Sequence, residues 1–599
     1  MTLVALKKVT VCGLTTEKQR VLNGLQDLGC LHLVPLRPPP AEPERAASPH
    51  ADDVVQALRF LSRTKVKRRQ LPRDPSFDVS AVAAEALEIK QGLREATDKR
   101  DFLEQRIKDV TPWGDLVFPP HEQLAGYRLW FYILPAGRTK ALQKIDLPWQ
   151  IVHRDQRRTH VVIIARDEPP TDLLPVPRTH TGSKPLNELQ FELEETEAEI
   201  EALMARRLAL TRYIYLINLN LASAENAASL DHATQQTRDE DGVFAVQGWA
   251  PVADLARLGD FANDHGLAML AEQPADDEQP PTLLKNPPAL GAGTDLALFY
   301  QTPGYRTWDP SLVVFFSFTV FFAMILSDAG YAVVLAVFLG LIWRKMGRSD
   351  GGKRMRNLFA WLLGGSFVWG VLVGGYFGVT PDPGTWLGAL HVINLQNFNA
   401  MMELSIAVGV AHLVLANLIV AYNNRRHLGL MASKVGWSLF LIGGFTAYAG
   451  GGAGDAATVG FVLVAVGIAF VFLFTSQRPL KKPLDLVWRV LDGLRAVTDI
   501  TKAFGDVLSY MRLFALGLAS ASLALTFNQL AGEVSGDVPG LGLLLELLIL
   551  LIGHTLNIGL AIMSGVVHGL RLNYIEFYNW GMEGEGYPFR AFARKEVQR

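Results

Sequence analysis

The feature that most constrains this chain is a series of long apolar runs in its carboxy-terminal half. Beyond about residue 300, runs of roughly 15 to 25 mainly apolar residues alternate with short polar links. Such runs match the length of helix that crosses the hydrocarbon core of a bilayer. We therefore predict an all-α polytopic membrane domain, residues 301–599, with eight spans at 311–327, 329–343, 357–378, 404–421, 435–450, 457–475, 503–531 and 541–575.

Basic residues are distributed unequally over the links between these spans. The links after spans two, four and six carry all of them: Arg344, Lys345, Arg348, Lys353, Arg354, Arg356, Arg425, Arg426, Lys434, Arg478, Lys481, Lys482, Arg489, Arg495 and Lys502. The opposite links contain no Lys or Arg. Because basic loops are retained on the cytoplasmic side, we expect both chain ends and the amino-terminal half to be cytoplasmic.

The amino-terminal half contains two apolar stripes with near-heptad spacing. The first runs from Ile89 to Val110, and the second runs from Leu189 to Leu221 with glutamates on its solvated faces. Two helices with matching stripes predict an antiparallel coiled-coil hairpin, 81–111 and 186–225. A dimerisation arm is the alternative, because heptads alone do not distinguish pairing within a chain from pairing between chains.

Short strand-like runs predict an α/β lobe at each end of this hairpin. Runs at 129–134, 149–153 and 160–165 place a distal lobe at 112–185. Strands at 9–12 and 31–34 flank a helix at 17–28 that Thr15 or Thr16 is positioned to cap. With a strand at 243–249 and a capped helix at about 252–265, they predict a proximal lobe from 1–80 and 240–300. The predicted fold of residues 1–300 is thus an α+β cytosolic dumbbell.

Several function classes lack their sequence signatures. The Gly352-Lys353 pair is followed by Arg354, so the phosphate-binding pattern G-x-x-x-x-G-K-[ST] is absent. A formal net charge of −2 implies no general attraction to nucleic acid. Cys12 and Cys30, the only cysteines, suggest neither a disulfide framework nor a metal cluster. We expect no cofactor, no metal site and no nucleic-acid partner, and any energy for transport must come from a partner or an ion gradient.

Two arginines fall inside the last two predicted spans. Arginine at the centre of a bilayer costs roughly 2.5–3.5 kcal/mol, so Arg512 and Arg571 are expected to face a partner or a water-filled cavity. The alternative is that each extends its side chain to the membrane surface. Since the two spans run in opposite directions, both arginines lie toward the same face and can form one positive site. His568, three residues before Arg571, can position that arginine.

Several motifs carry a resemblance to a known family. The runs SYMRLFALGLASASLA, VVHGLRLNYIEFYNWGMEGEGYPFRAF, FFAMILSDAGYAVVL and GGSFVWGVLVGGYFG resemble the subunit a (bacterial and archaeal subunit I) family of V/A-type ATPases. The opening KKVTVCGL and the segment PPTLLKNP before the first span resemble it as well. The resemblance extends over essentially the whole chain, and the paired arginine spans are its most specific part.

The resemblance implies a membrane stator subunit that couples proton or sodium translocation to rotation of a proteolipid c-ring. It does not itself hydrolyse ATP. The arginine matching Arg512 faces the ring carboxylates, and the one matching Arg571 assists it. The implied partners are the c-ring, peripheral-stalk subunits anchored on the cytosolic arm, the central stalk, the ATP-hydrolysing head and the lipid bilayer. Because the long insertions of eukaryotic members are absent, the expected location is a prokaryotic cell membrane.

Polar residues within the spans are half-channel candidates. They are Glu546, His554 and Asn557 in the last span, Ser520, Ser522, Asn528 and Gln529 in the preceding one, and His412 as a weaker candidate. For each, ordinary hydrogen bonding between helices is the alternative. Asp328, between the first two spans, is expected to be structural. Some family members have an acidic residue where this chain has Ala561, and a histidine where it has Ser520.

Two other functions fit part of the pattern. A secondary transporter also needs buried charges, but such carriers usually contain repeated halves with broken helices, and no repeat relates spans one to four with five to eight. A membrane receptor or scaffold would use the coiled-coil arm and leave Arg512 without a role.

Selectivity between protons and sodium is set largely by the ring, which is another chain.

Overall fold

The computed structural model describes residues 3–37, 49–117, 124–170, 173–182, 184–395, 397–478, 483–537, 541–582 and 584–597. Lys481 and Lys482, counted above for orientation, lie outside these residues. Contacts divide the chain into a first unit and a second unit. The first comprises Met1–Thr16, Cys30–Val34 and Asp239–Phe592, and the second comprises Glu17–Gly29, Pro35–Arg238 and Ala593–Arg599. The domain boundary expected at residue 300 stays a prediction.

The first 300 residues contain both strands and helices. In their described part the strands are β1 (Leu6–Leu14), β2 (His32–Val34), β3 (Arg128–Pro135), β4 (Trp149–Arg154), β5 (Arg158–Ala165), β6 (Arg178–Thr179), β7 (Arg238–Glu240), β8 (Val243–Pro251) and β9 (Ala268–Glu272). The helices are α1 (Lys18–Leu28), α2 (Pro49–Ser62), α3 (Val79–Val110), α4 (Leu186–Leu210), α5 (Ile214–Gln236), α6 (Leu255–Asp264) and α7 (Gly291–Tyr300).

The sheet of the first unit is antiparallel with the order β2-β8-β1-β9. Strand β8 pairs with β1 over nine positions, from Leu6↔Pro251 to Leu14↔Val243, and also pairs with β2. The predicted strands at 9–12, 31–34 and 243–249 therefore belong to one sheet. Strand β9 was not predicted, because its short Ala-Met-Leu-Ala run carries little β-propensity.

Two predicted helix caps are wrong. Thr15 and Thr16 lie in a 3₁₀ turn, and the residue before α1 is Glu17, which makes no side-chain capping bond. Helix α6 likewise follows a 3₁₀ turn, Val252–Asp254, without a side-chain cap. In both cases the 3₁₀ turn leads directly into the helix and leaves no extended residue in the position that a capping side chain requires.

In the second unit, α3 and α4 form an antiparallel pair. Helix α3 begins after Asp78, whose carboxylate accepts hydrogen bonds from two backbone N–H groups of the first turn. The first half of α3 shares a core with the end of α4 and with α5, where Ile89 and Ile217 are fully buried. The second half shares a core with the start of α4, where Leu103 and Leu189 are buried. The two apolar stripes thus pair within one chain.

The second unit also contains a four-stranded sheet with the order β4-β5-β3-β6. Strand β3 pairs antiparallel with β5 from Arg128↔Ala165 to Pro135↔Arg158. One face of the sheet buries Trp130, Tyr132 and Leu134. The strand-like runs predicted at 129–134, 149–153 and 160–165 lie within β3, β4 and β5.

The carboxy-terminal half is helical. Its described helices are α8 (Ser311–Leu326), α9 (Ala329–Met346), α10 (Asp350–Val373), α11 (Phe398–Asn423), α12 (Leu428–Ala449), α13 (Asp455–Phe474), α14 (Pro483–Thr498), α15 (Ile500–Leu508), α16 (Met511–Asp537), α17 (Gly542–Arg571) and, after a π-helical turn at Leu572–Phe577, α18 (Tyr578–Gly581). Within the described residues, seven helical stretches are long and apolar enough to cross a membrane. The first predicted span corresponds to α8, an apolar helix of only 16 residues.

Helix α8 is the core of the membrane half. It is apolar on all sides, and most of its residues are buried, which is the pattern of a helix surrounded by protein. The chain then reverses at Ser327, in the left-handed region at φ 46°, into α9. Asp328 caps α9 by accepting a hydrogen bond from the N–H group of Tyr331 (2.9 Å), and its other carboxylate oxygen accepts one from the N–H group of Gly378 (3.1 Å), outside that helix. Asp328 therefore has the structural position expected of it.

The predicted span 503–531 is not one uninterrupted helix. It begins inside α15 and is interrupted at Ser509–Tyr510 before α16 starts at Met511. The ring of Tyr510 is fully buried, and its hydroxyl is hydrogen-bonded to His412 Nδ1 at 2.8 Å. The ring fits only because residue 409 is glycine: a Cβ there would lie 2.6 Å from Tyr510 Cγ. This tertiary contact fixes the interruption.

A segment after α18 lies along the sheet of the first unit. The N–H of Arg590 donates to His32 Nδ1 at 2.8 Å, and the N–H of Phe592 donates to the Leu31 carbonyl at 2.7 Å. The rings of Tyr587 and Phe589 lie 5.8 and 5.5 Å from the imidazole. This segment thus connects the end of the membrane helices to β2 through a histidine that must be neutral to accept the bond.

We expect Gly409→Ala to lower the thermal stability of the full chain in detergent. The added methyl group would push against the body of the Tyr510 ring, which cannot turn aside, and overpacking of this kind costs about 1–3 kcal/mol. The measurement is the unfolding midpoint followed by tryptophan fluorescence. Gly444→Ala on α12 is the control, because a Cβ there meets no atom within 4 Å. Equal midpoints for the two variants would contradict the packing described.

We expect the attachment of Arg590 to weaken below about pH 6.5. Burial lowers the pKa of His32 below its ordinary value of 6.5, so the neutral acceptor is favoured in the folded chain. A depressed histidine pKa contributes stability above pH 6.5 that is lost as the pH falls through the folded value.

Hydrogen exchange of the peptide spanning residues 584–592 measures this attachment. After correction for intrinsic rates, its protection should fall between about pH 7.5 and about pH 5.5 in the parent chain. His32→Asn keeps an acceptor oxygen that does not titrate, so its protection should be independent of pH. The same pH dependence in both chains would show that another group is responsible.

Candidate functional site

An arginine and a glutamate form an ion pair in the membrane half. Arg512 is the second residue of α16, and Glu576 lies in the π-helical turn after α17. Their Nη2 and Oε1 atoms are 3.9 Å apart. The side chain of Glu576 is 3% exposed and that of Arg512 is 24% exposed. The carboxylate is therefore enclosed, while part of the Arg512 side chain stays exposed.

The π-helical turn holds Glu576 in place. Asn573 is fully buried; it accepts a hydrogen bond from Ser317 Oγ at 2.5 Å and donates to the Gly569 carbonyl at 3.1 Å. The hydroxyl of Tyr574 donates to the Leu296 carbonyl at 2.7 Å. These bonds tie the turn to α7 and α8 on both sides. Single π-helical turns inside α-helices are frequent at functional sites, where they redirect side chains.

The other predicted basic residues lie beside this pair. Arg571 is exposed and interacts electrostatically with Arg512, so the structure brings the two positive charges into one locality. His568 interacts with both arginines. Its Nδ1 is buried without a hydrogen-bond partner among the described residues, and no bond to Arg571 is formed.

An aromatic layer lies beneath the ion pair. The ring of His412 stacks on Phe577 with centroids 4.3 Å apart and an interplanar angle of 9°, and it meets Phe321 edge-on at 5.2 Å. Phe577 follows Glu576, and Tyr510, the hydrogen-bond partner of His412, precedes Arg512 by two residues. His412 thus supports both segments that carry the ion pair and contacts neither charge directly.

A second polar site joins α9, α16 and α17. His554 Nδ1 is 2.7 Å from the Tyr331 hydroxyl, and His554 Nε2 is 3.0 Å from Asn528 Oδ1. Asn557 donates to the same Tyr331 hydroxyl at 3.0 Å and to the Ser520 carbonyl at 2.8 Å. Ser520 Oγ donates a hydrogen bond to Asn557 Oδ1 at 3.3 Å. Four predicted candidates therefore form one network around a tyrosine.

Three predicted candidates stand outside this network. Ser522 and Gln529 are exposed on α16, and Glu546 is partly exposed near the start of α17. Within the described part of the chain, the side chains of these three form no hydrogen bond or ion pair. The structure therefore separates these candidates into a connected set, in which Ser520 and Asn557 are buried and His554 and Asn528 are partly exposed, and a set nearer the outer surface.

Ser522 and Gln529 belong to an exposed seam on α16. Small and polar residues follow Arg512 along one face at alternating intervals of three and four: Ala515, Ala519, Ser522, Thr526 and Gln529, all exposed. This spacing is the one used by helices that pack side by side, and small residues allow close approach of a neighbouring helix in a membrane. Arg512 lies at one end of a face suited to a partner helix.

The polar network and the ion pair are separated along α16. Ser520 follows Arg512 by eight residues, about 12 Å at 1.5 Å per residue. Leu513 and Gly517 between them are buried, and Leu513 is fully so. The two polar sites are therefore offset along the helix rather than continuous.

Two site residues were missed by the sequence analysis. Glu576 is an acid close to the end of an apolar run, five residues after Arg571, and that position was a usable signal. Tyr331 had no signal, because a tyrosine in a span is ordinarily a packing residue. Ala561 is buried at 3% exposure in an apolar core. No group of three or more His, Cys, Asp or Glu residues that could hold a metal ion is found within the described ranges.

Comparison with known proteins gives the family. No family model matches the chain. A V-type ATP synthase subunit I from Chlamydia pneumoniae is 30% identical over 476 residues, 68% of this chain and 70% of the relative. An A-type ATP synthase subunit I from Methanocaldococcus jannaschii is 27% identical over 450 residues, 69% of this chain and 64% of the relative. A V-type ATP synthase subunit I 1 from Treponema pallidum is 27% identical over 649 residues, 99% of this chain and 100% of the relative.

Among solved structures, the chain is similar to the cytoplasmic N-terminal domain of subunit I, homologue of subunit a, of V-ATPase. The match has 16% identity and a TM-score of 0.24, and covers 44% of this chain and 99% of that domain. A TM-score of 0.24 is too low to support an argument about the fold. The sequence similarity is sufficient by itself. With 30% identity over more than two thirds of both sequences, the chain belongs to the subunit I family of V-type and A-type ATP synthases.

Proposed function

We propose that this chain, a membrane subunit of a rotary ATPase, is the stator that couples ion translocation to rotation of a proteolipid c-ring. The observation that carries the proposal is the position of Arg512. It lies in an apolar helical stretch long enough to cross a membrane, at the end of an exposed helical seam, and its side chain is only partly buried beside Glu576. A ring of helices that turns past this seam would bring each of its carboxylates to the open side of Arg512.

The electrostatics of such an encounter favour release of the ion. A ring carboxylate in lipid is protonated or sodium-bound, because a bare charge there is costly. At 4 Å and an effective dielectric constant of 20, attraction to Arg512 is worth about 4 kcal/mol. This energy favours the ionised carboxylate, so the ring gives up its ion as it passes the arginine.

The same guanidinium group prevents a direct leak. Arginine does not lose its proton at physiological pH, so it cannot relay protons from one side to the other. Ions can then cross only while bound to the ring, which carries them from one half-channel to the other as it rotates. We assign the network of Tyr331, His554, Asn557, Ser520 and Asn528 to one half-channel, because it is polar, runs from buried to partly exposed residues and is offset by about 12 Å from the arginine. Ser522, Gln529 and Glu546 lie at the outer surface of this path.

The remaining parts of the proposal concern orientation and partners. We propose eight spans, with α8 as the first, and a cytoplasmic location for both chain ends in a prokaryotic cell membrane, from the distribution of basic links. The amino-terminal half would be a dumbbell-shaped arm that anchors peripheral-stalk subunits through its two α/β lobes. The central stalk and ATP-hydrolysing head would complete the complex, because no phosphate-binding motif is present in this chain.

We expect Arg512→Ala to abolish ATP-driven ion pumping while the complex still assembles. Loss of the guanidinium group removes the charge that drives release from the ring, and it opens a direct path between the half-channels. The measurement is ATP-driven acidification, or sodium uptake, in inverted vesicles, with assembly checked by co-purification. Arg425→Ala is the control, because Arg425 stacks on Tyr422 with its centre 4.7 Å from the ring and lies on a link. Retained pumping in Arg512→Ala would exclude the proposed role.

We expect Glu576→Gln to reduce pumping about tenfold without loss of assembly. Attraction between charges about 4 Å apart is worth about 4 kcal/mol at an effective dielectric constant of 20, and Arg512 would lose this constraint on its orientation without the negative charge of its partner. Pumping per ATP hydrolysed distinguishes this effect from general damage, because a mispositioned arginine lowers coupling more than ATPase activity. Glu585→Gln, on the exposed segment that follows, should pump normally. An unchanged pumping ratio in Glu576→Gln would show that the pair has no part in coupling.

A further inference from the structure

An apolar groove lies between α9 and α10, and small residues form part of its lining. It has a volume of about 390 Å³ and is lined by Ala332, Ala336, Gly340, Trp343, Gly364 and Phe367, among others. Residues at its edge on α9, including Val333 and Val337, are exposed. In a membrane this groove faces the bilayer.

The length of the groove corresponds to one leaflet. From Ala332 to Trp343 it covers twelve residues of the 18-residue helix α9, about 16 Å at 1.5 Å per residue. The hydrocarbon core of a bilayer is about 30 Å thick, so the length of the groove is about half that thickness, which is the extent of acyl chain that one leaflet contributes. Its outer end, at Trp343, lies beside the short link between α9 and α10.

A fixed cation stands at that outer end. The guanidinium carbon of Arg356 lies 4.5 Å from the centre of the Trp343 ring, and Nη1 donates to the Trp343 carbonyl at 3.4 Å. Gly347 makes room for this arrangement, because a Cβ there would lie 2.5 Å from Nη1. The Nε atom of Arg356 is buried and has no hydrogen-bond partner among the described residues. The guanidinium group is held in place with unused hydrogen-bonding capacity.

The charges around Arg356 are mostly positive. Arg344, Lys345 and Arg348 are exposed and, among the described residues, form no ion pair with an acid. Two neighbouring cations are already paired: Lys353 with Asp350 at 2.8 Å and Arg354 with Asp295 at 2.7 Å. The outer end of the groove thus combines an apolar channel with an excess of positive charge.

We propose that this groove binds one anionic phospholipid, with an acyl chain between α9 and α10 and the headgroup phosphate at Arg356. Basic pockets between membrane helices at this depth are suited to anionic headgroups. A groove about half as long as the hydrocarbon core is thick fits one acyl chain, whereas a partner helix that crosses the membrane would need a groove along the whole thickness. A soluble phosphate would use the cation and leave the groove unused. The site does not depend on the proposed ion coupling.

Native mass spectrometry of the full-length chain in detergent tests the proposal. Phosphatidylglycerol and phosphatidylcholine with the same acyl chains are titrated in parallel. We expect one phosphatidylglycerol per chain at concentrations where phosphatidylcholine is not retained. Arg356→Gln removes the cation, and Gly340→Leu fills the groove at a position where a Cβ meets no atom within 4 Å. Each should weaken phosphatidylglycerol binding about fivefold or more.

Matched controls separate these effects from general damage. Lys353→Gln removes a cation that is already paired, and Gly444→Leu makes the same size change on α12, also at an open position. Both should bind phosphatidylglycerol like the parent chain. Equal retention of the two lipids, or parental affinity in Arg356→Gln, would overturn the proposal. Loss in Arg356→Gln with parental affinity in Gly340→Leu would show a surface phosphate site and would overturn it as well.

Discussion

The ion pair between Arg512 and Glu576 must be held and enclosed by the surrounding membrane helices. An arginine and a glutamate at membrane depth are costly unless each has a partner, and the cost rises with the loss of water. Here the two side chains differ in burial: Glu576 is enclosed and Arg512 is partly exposed. The enclosed acid lies beside the arginine, and part of the arginine side chain remains exposed, as the proposed encounter with a ring carboxylate requires.

Close packing around the pair comes from small residues at specific positions. Helix α17 buries a residue every fourth position along one face: Gly553, Asn557, Ala561, Gly565 and Gly569. At Gly553, Gly565 and Gly569 a phenylalanine from α16 or α8 approaches so closely that a Cβ would meet it within 3.2 Å. Gly409 of α11 likewise leaves room for the close approach of the Tyr510 ring. These contacts hold α8, α11, α16 and α17 together and leave the Arg512 seam as an open face.

Much of the fold follows from local sequence patterns, and the fine geometry of the site does not. The α3–α4 pair was predictable because apolar residues repeat along both helices at heptad spacing, and strands β3 and β5 were predictable because they are runs of β-branched and aromatic residues. The interruption at Ser509–Tyr510 and the π-helical turn were not, since they depend on Gly409 and on the Asn573–Ser317 bond, which join distant segments. Polar residues in apolar runs identified most site candidates. Their grouping around Tyr331, and the pairing of Glu576, required the three-dimensional arrangement.

The central claim is that the seam beginning at Arg512 faces the proteolipid ring, and site-specific photocrosslinking tests it most directly. A photoreactive residue replaces Ala515, exposed on the seam, in the assembled complex, and Val337, exposed on α9, serves as the comparison position. The account predicts an adduct between position 515 and a small membrane subunit bearing the ion-carrying carboxylate, and no such adduct from position 337. Adducts with lipid alone at position 515, or equal capture of that subunit from both positions, would contradict it.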